Sequence, residues 1–286
     1  MTCHYCSREA VAYSYGKGYC REHFNMYFRG KVRSVIDKFQ IKGKIAVALS
    51  GGKDSLAVFH ALHFLKMDLM PFYINLGIPS YSSASEKACE KICHDLGYTL
   101  QKIDLADYGI SLEEHEKPCS VCGTVKRYLM NRFAHERGCE YIATGHNLSD
   151  IVTFALHNLA NANIMNFRGN RPFLPGREEY NMVAKIKPLF YLTDKECMNY
   201  ASINNLEYVK EKCPFSREAP TLKIKKWIHE MEEGMPGMML NMAKSFWRLE
   251  EKMDDEIKLN RCSICGYPSY GRICKFCRIA GRSKGK

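Results

Sequence analysis

The chain has 286 residues, 46% of them hydrophobic, which is ample for a buried core, so one main domain with small appendages is expected. A net charge of +11, spread widely, favours an acidic partner, most simply nucleic acid. No uninterrupted apolar run is long enough to span a bilayer, and the polar start Met1-Thr2-Cys3-His4 shows no signal peptide, so no membrane partner and a cytoplasmic location are expected.

Eight of the 14 cysteines fall in four Cys-x-x-Cys pairs, a pattern of metal ligands in a reducing compartment rather than of disulfides. The first segment, residues 1–28, carries Cys3-x-x-Cys6 and Cys20-x-x-His23. Three thiolates and one imidazole would enclose Zn²⁺ completely, so the site is expected to be structural. Residues 29–43 read as a connecting helix with Val32, Val35, Ile36 and Phe39 on one side.

Ile45 to Leu49 reads as a strand buried on both faces. It runs into Ser50-Gly51-Gly52-Lys53-Asp54-Ser55, after which Leu56, Phe59, Leu62 and Leu65 take helical spacing. Glycines at a strand-to-helix turn let backbone N–H groups close around an anion, and the new helix adds the positive end of its dipole. Lys53 supplies a charge and the two serines hydroxyl donors, while Asp54 suits a phosphate only with Mg²⁺ between them. The hexad lacks the four-residue spacer of a Walker A loop. It resembles instead the PP-loop of the N-type ATP pyrophosphatases, which cleave ATP between the α and β phosphates.

Further along, Met70–Leu76 and Tyr98–Ile103 read as strands, with a helix over residues 82–96 between them. Alternating strands and helices imply a doubly wound, mainly parallel α/β sheet with ligands at the carboxyl ends of the strands. A third pair, Cys119-x-x-Cys122, precedes a helix expected over 124–137. Five other cysteines stand available to complete it: Cys89, Cys93, Cys139, Cys197 and Cys213. The first two have the spacing of a core helix face, Cys139 precedes a strand and Cys197 lies within a helix. Cys213, in Lys212-Cys213-Pro214-Phe215, occupies a helix-breaking rim where a thiolate is easily presented.

A strand at 140–144 leads to Gly145-His146-Asn147-Leu148-Ser149-Asp150. Gly145 permits close approach of a nucleotide, His146 reads as a structural donor, and Asp150 reads as a magnesium ligand or a helix cap. Residues 161–180 read as loop, 182–186 as a last strand, and 193–255 as helical. On those helices Lys223, Lys225, Lys226, Arg248 and Lys252 are either RNA contacts or a solvated face, and the methionines 231, 235, 238, 239 and 242 read as packing. The domains are thus an N-terminal zinc finger (1–28), a catalytic domain (29–255) and a basic zinc ribbon (256–286). The ribbon carries Cys262-x-x-Cys265 and Cys274-x-x-Cys277. Arg272, Lys275, Arg278, Arg282, Lys284 and Lys286, with Tyr267 and Tyr270 as stacking surfaces, mark it as an RNA-binding appendage or a solubilising tail.

The order zinc finger, Ser50–Ser55 hexad, Cys119-x-x-Cys122, Gly145-His146-Asn147, Cys213-Pro214-Phe215, zinc ribbon resembles, over nearly the whole chain, the TtuA-type tRNA 2-thiouridine synthetases and the related 2-thiocytidine enzymes. The resemblance implies a 4Fe–4S cluster held by Cys119, Cys122 and Cys213, with its fourth iron open to sulfur. It implies ATP against Ala48, Ser50, Gly51, Gly52, Lys53, Asp54, Ser55, Leu76, Lys126 and Gly145, with Mg²⁺, and two structural Zn²⁺. Catalysis would fall to Lys53, Asp54, Asp150 and the three cysteines: the C2 oxygen of a uridine is adenylated, then replaced by sulfur. Partners implied are tRNA, a sulfur donor (sulfide or a thiocarboxylated ubiquitin-like carrier) and a second copy in a homodimer. Where the family commonly has adjacent acids, this chain has Ser149 and Ile151 around Asp150, leaving a single carboxylate there. Alternatives are tRNA 2-thiocytidine synthesis, persulfide chemistry on Cys119 or Cys213 without a cluster, a different PP-loop ligase acting on tRNA, and a non-catalytic zinc-dependent RNA-binding protein.

Overall fold

In the computed structural model, which describes residues 2–163, 169–216, 220–252 and 259–281, the chain starts with a hairpin of β1 (Ala12–Ser14) and β2 (Lys17–Tyr19). It continues into α1 (Arg21–Lys38), whose Phe24, Phe28, Val32, Val35 and Ile36 recur every three or four residues and are buried. Phe28 stacks on Tyr200 with ring centroids 3.8 Å apart. Buried Glu196 accepts hydrogen bonds from Ser14 (2.5 Å) and Tyr27 (2.6 Å), so the hairpin is fastened to the body of the protein by a satisfied buried carboxylate.

The body is an α/β sheet. Its strands are β3 (Ile45–Leu49), β4 (Leu69–Asn75), β5 (Gln101–Asp104), β6 (Tyr141–Ala143), β7 (Phe173–Leu174) and β8 (Ala184–Ile186), in the order β5-β4-β3-β6-β8-β7. All neighbours are parallel except β7, an antiparallel edge strand within the region expected to be loop. A two-residue strand carries no alternation to read, which is why the pattern missed it. The helices between are α2 (Lys53–Phe64), α3 (Tyr81–Leu96), α4 (Pro118–Glu136) and α5 (Leu148–Ala160). Then follow α6 (Asp194–Ile203), α7 (Pro220–Gly234) and α8 (Met238–Glu251). Chain direction reverses its outward walk between β3 and β6, the switch point where such sheets bind ligands.

Expected strand ends shift by a few residues: β4 begins at Leu69 and β5 only at Gln101. The helix expected over 124–137 starts earlier, at Pro118, because proline suits the first helical turn; Cys119 and Cys122 are therefore helical. The C-terminal unit is a hairpin of β9 (Asn260–Arg261) and β10 (Pro268–Ser269) with the short helix α9 (Lys275–Ile279). It is not a free appendage. Phe276 stacks on Tyr128 of α4, centroids 3.7 Å apart, and Tyr267 also packs against Tyr128 rather than standing open for stacking. Tyr270 is exposed as expected, while Arg282, Lys284 and Lys286 lie outside the described residues. No helix among the described residues is long and apolar enough to cross a membrane.

Two glycines bring the phosphate loop to its place. Gly51 has φ 73°, and a Cβ there would lie 2.6 Å from the Ser85 Cα of α3. At Gly145 a Cβ would lie 2.7 Å from the Ser55 backbone nitrogen. Its lack of a side chain thus lets the β6–α5 turn approach the hexad itself, where nucleotide approach had been expected. Gly51→Ala is expected to lower stability by about 2–4 kcal/mol and Tm by roughly 5–10 °C. Gly52→Ala, in extended backbone with its nearest atom 3.6 Å away, should stay within about 0.5 kcal/mol. Thermal unfolding of the two variants checks the contrast.

Candidate active site at the carboxyl ends of the strands

A pocket of about 370 Å³ opens where β3, β4 and β6 end. Its wall includes Ala48, Ser50, Gly52, Asp54 and Ser55 from the β3–α2 turn, and Ile74 and Leu76 from the end of β4. Tyr81 and Ser85 come from α3, Lys126 from α4, Gly145 and His146 from the β6–α5 turn, and Asp150 and Phe154 from α5. No side chain caps the N-terminus of α2, so its first N–H groups remain available to an anion. The serine hydroxyls, expected to face phosphate, tie the loop together instead. Ser50 donates to Ser55 Oγ at 3.1 Å, and Ser55 donates to the Gly52 carbonyl at 2.9 Å.

Lys53 is gripped from two sides. Its ammonium lies 2.9 Å from Asp54 Oδ2 and 2.9 Å from Asp194 Oδ1. Lys225 lies 2.8 Å from Asp150 Oδ1 and 3.1 Å from the same Asp194 oxygen. The side-chain amide of Asn147 donates to Asp54 Oδ1 at 3.2 Å and reaches Asp194 Oδ1 at 3.4 Å. Burial alone would raise the Asp194 carboxyl, but the charges of Lys225 and Lys53 overcome it and bring it down to about 2. Asp54 moves the other way: burial raises it, Lys53 offsets only part, and Asp150 adds a like charge. Lys53 is raised, its two carboxylates outweighing burial.

Lys225 is thus neither an RNA contact nor part of a solvated face; it is the second cation of this cluster. Asp194 went unread in the sequence. Its neighbours Thr193 and Glu196 form a capping box visible there, with Thr193 Oγ1 accepting from the Glu196 N–H at 3.2 Å. Nothing local indicates that the residue between them reaches a lysine 141 positions away. Of its two expected roles Asp150 shows the capping one, as the N3 partner of the N-cap Asn147 at the start of α5. Its N–H donates to Asn147 Oδ1 at 3.1 Å and its Oδ2 accepts from the Asn147 N–H at 3.2 Å, while the side chain lines the pocket. The lone carboxylate left by Ser149 and Ile151 is joined in space by Asp54 and Asp194, and the Ser149 hydroxyl accepts from the Asp194 N–H at 3.3 Å.

The third cysteine pair sits in the first turns of α4. Cys119 Sγ donates to the Phe215 carbonyl at 3.1 Å, which joins α4 to the turn Pro214–Ser216 just after Cys213. Burial raises the Cys119 thiol, as do Cys213 and Cys122 beside it, against the pull of Lys126. Tyr81 is raised by burial and then by Cys213, with Cys122 also near, so the thiols stand next to two residues of the pocket wall. The other candidates are removed: Cys89, Cys93, Cys139 and Cys197 are buried in the core, and burial raises Cys89 and Cys93 to about 12. His146 is held by Thr144, Nδ1 to Oγ1 2.8 Å, and burial lowers it to about 4, so its ring is neutral at pH 7.

Among the described residues two groups of four side chains could hold a metal ion. The ligand atoms of Cys3, Cys6, Cys20 and His23 all lie within 4.8 Å of one another, as do those of Cys262, Cys265, Cys274 and Cys277. Backbone N–H groups point at the sulfurs, Tyr5 to Cys3 at 3.5 Å and Cys274 to Cys262 at 3.2 Å, an arrangement that favours the metal-binding thiolate.

The PP-loop domain family matches residues 25–218. The chain is 39% identical over 296 residues to a tRNA-5-methyluridine(54) 2-sulfurtransferase of Pyrococcus horikoshii, covering 99% of this chain and 95% of that one. It is 34% identical over 292 residues to the protein of the same name from Thermotoga maritima, covering 98% and 96%. Among solved structures it is similar to the U34-tRNA thiolase NcsA from Methanococcus maripaludis with its 4Fe-4S cluster. There the TM-score is 0.87 at 29% identity, over 100% of this chain and 97% of that one. The chain belongs to the PP-loop domain family and, within it, to the TtuA-type tRNA 2-thiouridine synthetases.

Proposed function

We propose that this protein is an ATP-dependent tRNA sulfurtransferase that adenylates the C2 oxygen of a uridine and exchanges it for sulfur, with uridine 54 as the target. The observation that supports the reading is the hydrogen bond from Cys119, one turn from Cys122 on α4, to the Phe215 carbonyl in the turn that follows Cys213, on the side where Tyr81 and Lys126 wall the pocket. Position 54 is favoured because the relatives sharing 39% and 34% identity act there by name.

ATP would enter with its phosphates on the N–H groups of Gly52 and the start of α2, and its base among Ala48, Ile74 and Leu76. The uridine oxygen attacks the α-phosphorus, and the bond to the β-phosphate breaks, releasing pyrophosphate. Charge builds on the phosphate oxygens in that step, and the loop amides, Lys53 and Lys126 stabilise it where it develops. Asp54 and Asp150 are hard oxygen donors on the pocket wall and fit Mg²⁺, which when bound would screen the phosphates from these same carboxylates. Asp194 keeps Lys53 charged and aimed along the loop.

The second step exchanges oxygen for sulfur at C2, with AMP as leaving group. Three soft thiolates, one of them exposed, fit a 4Fe–4S cluster, which when bound would offer sulfur from the corner that has no protein ligand. Cys119, Cys122 and Cys213 would hold that group beside Lys126 and Tyr81. The two four-ligand groups fit Zn²⁺, fully enclosed and structural. Arg272, Lys275, Arg278 and Tyr270 would meet tRNA from the ribbon.

The test is anaerobic incubation of the holoprotein with ATP, sulfide and unmodified tRNA, followed by mass spectrometry of nucleosides from the isolated T arm and anticodon arm. Formation of 2-thiouridine in the T arm is expected; no thionucleoside in either arm overturns the reading. Cys119→Ala, Cys122→Ala and Cys213→Ala should each abolish thiolation while ATP binding, followed by calorimetry, persists. Full activity in any one of them excludes the three-thiolate set. Lys53→Ala should slow RNA-dependent AMP release by about 100-fold or more with iron content unchanged. Asp194→Asn leaves Lys53 and Lys225 short of a partner and should slow AMP release about tenfold or more, since misplacement at the reacting centre is costly.

A further inference from the structure

Phe154 is an aromatic pocket residue with no part in phosphate, metal or sulfur chemistry. It is on the pocket wall yet the residue is 38% exposed. The buried face of α5, formed by Leu148, Ile151, Val152 and Ala155, packs with α7 and α8 through Ile228, Met239, Ala243 and Phe246. Phe154 stands apart from that stripe. It follows Asp150 by four residues, one helical turn, so both side chains project from the same side of α5 into the same pocket. Behind it lies His146, centroids 5.9 Å apart with planes at 68°, an edge-on support. The imidazole is itself fixed by Thr144.

A uridine within folded tRNA is stacked on its neighbours, so its C2 oxygen reaches a pocket only if the base leaves the stack. Proteins hold such single bases on aromatic faces, which replace the lost stacking. Resting on the tRNA-thiolation reading above, we propose that Phe154 is the platform on which the extruded pyrimidine stacks, with His146 bracing it and Asp150 one turn away at the phosphate side. It is a positioning residue that selects a planar base. Its ring face is what matters, so another aromatic should serve and an aliphatic of similar bulk should not.

The holoprotein is compared as wild type, Phe154→Tyr, Phe154→Leu and Phe154→Ala, with tRNA concentration varied and ATP saturating. Iron content and ATP affinity should be unchanged in all four. Tyr should keep kcat/KM for tRNA within about threefold, and Leu and Ala should lower it about 10- to 100-fold, the range expected for one lost base–aromatic stack. Wild-type kcat/KM in Leu or Ala overturns the proposal. A second measurement does not depend on the variants folding. Wild-type protein is irradiated with tRNA carrying 5-iodouridine at the target position, and the crosslinked peptide is mapped by mass spectrometry. Attachment at Phe154 supports the platform, and attachment confined to other residues excludes it. Failure of the wild type to make 2-thiouridine in any arm would count against the enzymatic reading instead, and the crosslink still decides whether a base rests on Phe154.

Discussion

The arrangement of the site depends on one carboxylate oxygen. Asp194 Oδ1 receives the ammonium groups of Lys53 and Lys225 and lies within reach of the Asn147 amide. Those groups begin or belong to α2, α7, α5 and α6, so four helices register against one another through a single atom. Removing charges from water is costly, and such a cluster persists only if each is matched and hydrogen-bonded. The match is good enough that Asp194 stays ionised despite its burial. The lysine of the phosphate loop is thus held in place by Asp54 and Asp194.

Around that cluster, close backbone contacts do what side chains could not. The absence of a Cβ at Gly51 and Gly145 lets α3 and the β6–α5 turn approach the loop within van der Waals reach. His146, Asn147 and Asp150 are delivered to the pocket as a consequence, the first as a neutral brace and the last as part of a capping box. The hexad serines contribute to the same end by bonding within the loop rather than outward. The Cys119 thiol, by contrast, is exposed.

The two cysteine-rich ends are integrated into the body in different ways. The N-terminal hairpin is held by a buried carboxylate, Glu196, that Ser14 and Tyr27 satisfy. The C-terminal unit is held by aromatic stacking of Phe276 on Tyr128 of α4, the helix whose first turns carry Cys119 and Cys122. The basic C-terminal unit is thus fixed to the same helix that carries Cys119 and Cys122.

The sequence by itself determined the α/β alternation, the strand-to-helix phosphate loop and both four-ligand groups. Each of these is either a periodicity or a short motif, and physical chemistry acts on them locally: a buried strand needs an apolar run, a tight turn needs glycine, a metal needs paired thiols. Tertiary structure alone decided that Lys225 faces Asp150 and Asp194, that the hexad serines bond inward, that Tyr267 is packed and that Phe154 stands in the pocket. Those depend on which faces of distant helices are brought together, and a lysine bound for solvent has the same local pattern as one bound for a buried carboxylate. Pairings across 31 to 141 residues leave no mark on the spacing of either partner.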